Sequence, residues 1–169
     1  MPVSMYRLSV PVFVRGLTVL SALLEKAEAH AADNGIATEV LVNSRLAPDM
    51  LPLSGQIQRV SDTAKNALGR LSGKPAPSFP DTETTMAELK ARIEKTIAYL
   101  QSVPAADLEG SEGREVKLNV GSLGVTFTGE SYLLEFALPN FFFHVTTAYD
   151  ILRHDGIEIG KRDYLGPYA

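Results

Sequence analysis

The chain has 169 residues, 45% of them hydrophobic, which suits one domain with enough apolar side chains for a sizeable core. Lys and Arg number 16 against 20 Asp and Glu, giving a net charge of -4 and no electrostatic basis for gripping a phosphate backbone. Cysteine is absent, which excludes disulfides, thiolate catalysis and cysteine-ligated zinc.

At the N-terminus Arg7, Pro11, Arg15 and Gly16 interrupt the apolar stretch, which argues against a signal peptide. The longest apolar runs fall short of the roughly 20 residues of a membrane span. The expectation is a cytoplasmic protein of one domain, 1–169, with neither nucleic acid nor membrane as partner.

The strongest periodic signal starts at Phe13 and continues through Leu17, Leu20, Leu24, Ala27 and Ala31, alternating steps of four and three that keep one helical face apolar. Ser4 is placed to cap this first helix, Pro11 to kink or restart it, and Asn34-Gly35 to stop it. A shaped connection follows, with one helical turn expected around Glu39 to Asn43 and prolines at 48 and 52. From about Pro52 a second helix carries Leu53, Ile57, Val60, Ala64, Ala67 and Leu71 at the same spacing. Gly73, Pro75, Pro77 and Pro80 end it in a loop without periodicity.

"TMAELKARIEKTIAYL" opens on the capping box Thr85-x-x-Glu88 and sets Met86, Leu89, Ile93, Ile97 and Leu100 on one side, which predicts a third helix. The period then changes: "REVKLNV" and "LGVTFTG" alternate around Gly121-Ser122 and predict a β-hairpin. Helix resumes from Glu130, and Pro139 starts or kinks a last helix that runs to about His154 and stops at Gly156. The tail "IEIGKRDYLGPYA" has no helical face and is expected to lie across the bundle or pair with a neighbour. Four long amphipathic segments can satisfy one another as an all-α four-helix bundle carrying the hairpin as an insertion before the last helix.

"GIEIGKR" mimics a phosphate loop but fails it: three residues instead of four separate Gly156 from Gly160, and Arg162 stands where Ser or Thr is needed. The candidate site lies instead in "LPNFFFHVTTAYDILRHDG". At about 100° per residue, Asn140, Phe141, His144, Ala148, Ile151 and Asp155 share a face, with Phe142, Tyr149 and Arg153 roughly opposite. His144 therefore points into or near the bundle seam. His154 sits ten positions on and about 80° away, so the two histidines cannot form a one-helix metal pair, which needs i, i+3 or i, i+4 spacing. His30, near Glu28 and Asp33, reads as a solvated helix-end residue.

For His144 the residues alone support a buried imidazole bonded to a polar group on a facing helix. The second helix offers Gln58, Asp62 and Lys65 on one flank of its apolar stripe, and Gln56, Arg59 and Thr63 on the other. Asp62 could orient the imidazole or pair with Arg153; it could equally form a solvated pair with Lys65.

"RLAPDMLPLSGQIQRVSDTAKNALGRLSG" together with "LPNFFFHVTTAYDILRHDGIEIGKRDYLG" resembles a bacterial and fungal domain-of-unknown-function family of the DinB-like (DinB/YfiT) superfamily, over nearly the whole chain. The resemblance implies an up-down-down-up four-helix bundle and a homodimer. It also implies, for many members, a divalent metal held by one histidine on the second helix and an H-x-x-x-H pair on the last; relatives include thiol-dependent transferases and isomerases. This chain departs from that pattern. Its second helix has Gln56 or Gln58 instead of histidine, and His144 has Asn140 four before it and Ala148 four after. Amide oxygens are poor ligands for the metals imidazole suits.

The reading is therefore a DinB-like bundle without bound metal or other cofactor, binding an unknown small molecule in a polar cavity lined by His144, Asn140, Gln58, Asp62 and Tyr149. The alternative is a divalent-metal-dependent hydrolase or thiol-dependent transferase using His144 with unconventional ligands such as Asp62 or Asp155.

Overall fold

The structure is a computed structural model and describes residues 3–120 and 122–167. The first helix, α1 (Met5–Asn34), is capped by Ser4, whose Oγ accepts from the Arg7 N–H at 3.3 Å. Pro11 does not break it. The ring faces solvent, where the carbonyl it leaves unpaired can be hydrated. The stripe from Phe13 to Ala31 is at most 1% exposed. By length and composition α1 is apolar enough to cross a membrane, with an 18-residue window of mean hydropathy 1.6, contrary to the expectation that no run reaches that threshold. Half of that window is buried against the other helices.

One helical turn, α2 (Thr38–Val42), tucks Leu41 and Val42 into the core. Next, α3 (Leu53–Ser72) begins immediately after Pro52 and buries the six apolar residues of its stripe completely. In α4 (Met86–Ser102), both arms of the Thr85/Glu88 capping box are formed. Strands β1 (Glu115–Val120) and β2 (Leu123–Thr128) pair antiparallel with Val116 opposite Phe127. The β1 face carrying Val116 and Leu118 is turned inward.

Helical turn α5 (Gly129–Ser131) leads into a π-helical segment, Tyr132–Ala137, and then α6 (Leu138–His154) without a break. Pro139, expected to start or kink the last helix, stands in the first turn of α6, and the widened turn ahead of it absorbs the hydrogen bond its ring cannot make. The tail crosses the bundle. Ile157 and Ile159 are buried, and α7 (Lys161–Leu165) lies on α1, where Lys26 meets Asp163 at 2.6 Å.

Side-chain pairs across the bundle fix its directions. Glu28, late in α1, pairs with Lys90, early in α4, so these two helices are antiparallel. Arg59 meets Asp81 just before α4 and Lys74 meets Asp107 just after it, so α3 and α4 run the same way. His144 reaches Gln56 while Asn140 reaches Thr63, so α6 runs against α3. The order is up-down-down-up, and α6 packs against both α1 and α3. At the α1–α6 crossing, Gly16 leaves the space taken by the Phe141 ring; a Cβ there would lie 2.4 Å from a ring carbon.

Candidate functional site: a glutamine-held histidine at the seam of the second and last long helices

The flank of α3 that faces α6 is the one carrying Gln56, Arg59 and Thr63. Gln56 is 2% exposed, and its Nε2 donates to the Leu51 carbonyl at 3.0 Å. A carbonyl can only accept, so the amide nitrogen is committed and Oε1 is left facing Nδ1 of His144 at 2.7 Å. Nδ1 must therefore carry the proton. Burial, and secondarily the Arg59 charge, push the His144 pKa below its ordinary 6.5. The imidazole is neutral at pH 7 with its lone pair on Nε2, and among the described residues no side chain hydrogen-bonds that nitrogen.

One turn earlier on α6, Asn140 Nδ2 donates to Thr63 Oγ1 at 2.8 Å, and that hydroxyl in turn donates to the Arg59 carbonyl at 2.7 Å. The two rungs pin α6 to α3 and leave Oδ1 of Asn140 and Nε2 of His144 as acceptors. Phe143 meets the imidazole edge-on with ring centres 5.2 Å apart and is 58% exposed. The site opens at the surface, and none of the five clefts described on the molecule is lined by His144.

The other predicted site residues lie elsewhere. Gln58, on the opposite flank, donates to Glu83 at 3.0 Å. Asp62 is held by Arg59 (3.0 Å), Lys65 (2.9 Å) and Arg92 (3.0 Å), and Lys65, at 5% exposure, is buried rather than solvated. Tyr149 turns away from His144 to pack edge-on against Tyr164 at 5.8 Å. Asp155 accepts from Ser44 at 2.9 Å. Among the described residues Arg153 reaches only the Ile157 carbonyl, His154 is exposed, and His30 lies by Asn34 near the end of α1.

These residues do not fit the metal that the DinB-like pattern implies. Oε1 of Gln56 is occupied by the imidazole, Ala148 has no donor atom, Asp62 is held by three cations, and Asp155 lies at the far end of α6 beside Ser44. Among the described residues no three His, Asp or Glu side chains gather into a metal-holding group.

A family model described as Domain of unknown function (DUF1993) matches residues 5–165. The chain belongs to the DUF1993 family. This DUF1993 chain is also similar to a solved structure, the crystal structure of a DinB family member protein from Shewanella denitrificans. Identity is 42% and the TM-score 0.90, over 97% of this chain and 93% of that one. No curated protein matches it. The DinB-like helical fold that the sequence implied is thus the fold of this DUF1993 chain.

Two parts of the arrangement are not settled by the amino-acid sequence. One is the choice between the two glutamines that α3 offers to His144, which falls on Gln56. Spacing alone carries no signal that prefers Gln56 to Gln58, since each lies on a polar flank of the α3 stripe. The other is Arg92, which looks like an ordinary helix charge until the loop ahead of α4 closes over it.

Proposed function

We propose that this protein is a ligand-binding, DinB-like bundle without a resident transition metal, in which neutral His144 offers Nε2 to a hydrogen-bond donor on a small molecule. Asn140, on the same face, supplies the second acceptor. The observation that supports this reading is the hydrogen bond between Gln56 and His144. It uses the glutamine oxygen that a metal would need and fixes the imidazole in one tautomer. An acceptor held in place in this way can orient a bound O–H or N–H without binding a cation of its own.

The test is elemental analysis after incubation with excess zinc or nickel and desalting. The expected result is no stoichiometric metal. His144→Ala is expected to lose about 1–3 kcal/mol of stability as Gln56 is left unpaired. One tightly bound metal per chain that disappears in His144→Ala would overturn the proposal and favour a divalent-metal-dependent hydrolase or thiol-dependent transferase.

A further inference from the structure

A second region, chemically unlike the first, lies on the opposite side of α6. Phe142 is two positions before His144 and about 160° around the helix from it. It borders a cleft of about 580 Å³ floored by Gly16, Val19 and Val145 and walled by Tyr164. Across the C-terminal strap is another cleft of about 480 Å³ that shares Val19. The strap separates them at Gly166, whose φ of 70° lets the backbone rest directly on the helix; a Cβ there would sit 2.9 Å from the Val19 side chain.

The net charge around this apolar floor is positive. Arg7 and Arg15 stand at the rim of the larger cleft and Arg162 at that of the smaller. Among the described residues none of the three has a carboxylate within ion-pair distance. Lys26 and Asp163 neutralise each other at 2.6 Å. Arg15 does donate to the carbonyls of Leu165 (2.5 Å) and Pro167 (3.0 Å), but carbonyls are neutral and, among the described residues, leave its charge uncompensated. A positive rim on an apolar groove, in a chain of net charge -4, calls for a complement that is apolar along its length and negative at one end.

We infer that the cleft between α1, α6 and the C-terminal strap binds a small amphipathic anion, its apolar chain on Val19 and Val145 and its anionic head on Arg7 and Arg15. The inference does not depend on His144. Decanoate is the probe, with decanol and decyltrimethylammonium as equal-length controls, followed by calorimetry and by amide shifts in the full chain. The expected result is saturable binding with shifts at Val19 and Val145, weaker for decanol and weakest for the ammonium. Arg7→Gln, which breaks no contact to the strap, is expected to weaken decanoate roughly tenfold, the loss of one charge-assisted contact. Val12→Trp, at the cleft wall, is expected to block binding, and His144→Ala to leave it unchanged. Equal binding of decanoate and decanol would overturn the inference. So would shifts confined to another surface, no saturation by about 1 mM, or self-association that covers the cleft.

Discussion

Replacing Arg92 with alanine is expected to cost about 3–5 kcal/mol of stability, because it strands carboxylates in a partly buried site. The Arg92 side chain is 1% exposed and spans two elements. Its Nη1 donates to the Pro80 carbonyl at 3.0 Å and to Glu83 at 2.9 Å; its Nη2 meets Asp62 and Asp81, each at 3.0 Å. Lys65 and Arg92 both sit over the Phe79 ring. One guanidinium thus ties the aperiodic loop between α3 and α4 to both helices. The forked donor is what matters, so Arg92→Lys, which keeps the charge on a single nitrogen, is expected to recover only part of the loss.

Acid sensitivity provides a second measure of the same cluster. Burial alone would raise the Glu83 pKa, but the hydrogen bonds from Arg92 and Gln58 outweigh it and hold the group below its ordinary 4.5. A depressed folded-state pKa means that the stabilisation is fully present above 4.5 and is lost as pH falls through the lower folded value. Chemical denaturation of Glu83→Gln across that window should show a shallower acid decline than the parent. An equal slope, together with a negligible effect of Arg92→Ala, would mean that the cluster does not stabilise the fold.

Phe141→Ala is the other large expected effect, about 3–5 kcal/mol of stability. The ring is fully buried, lies edge-on to Phe13 at 4.9 Å between ring centres, and fills the notch left by Gly16. Deleting it opens a void at the crossing of α1 and α6, where neither backbone can close in without moving the other. For a chain of this size that corresponds to a fall in melting temperature of roughly 10 °C. Calorimetry showing a shift of only one or two degrees would mean that the crossing collapses to fill the space.

How far the residues foretold these features depends on whether the signal was local. The apolar stripes of α1 and α3, the Thr85/Glu88 cap and the alternation around Gly121-Ser122 each arise within one element, and each produced the element expected. The tip residue Gly121 itself lies outside the described residues. The widened turn ahead of Pro139 was not legible, because a proline signals a lost hydrogen bond without saying how the helix absorbs it. At the site, periodicity put His144 on the inward face but left α3 with two equally polar flanks, Gln58–Asp62–Lys65 and Gln56–Arg59–Thr63. Which flank meets α6 is decided by the handedness of the whole bundle and by the contacts that hold the first flank elsewhere, Gln58 on Glu83 of the loop and Asp62 on Arg92 of α4. Neither is visible in any stretch of sequence.

Gln56 holds His144 as a neutral imidazole protonated on Nδ1. Long-range proton–nitrogen NMR of the His144 ring at neutral pH tests it most directly. The expected spectrum is that of the Nδ1-protonated tautomer, lost or mixed in Gln56→Leu. A ring protonated on Nε2, doubly protonated at pH 7, or unaffected by Gln56→Leu would contradict it.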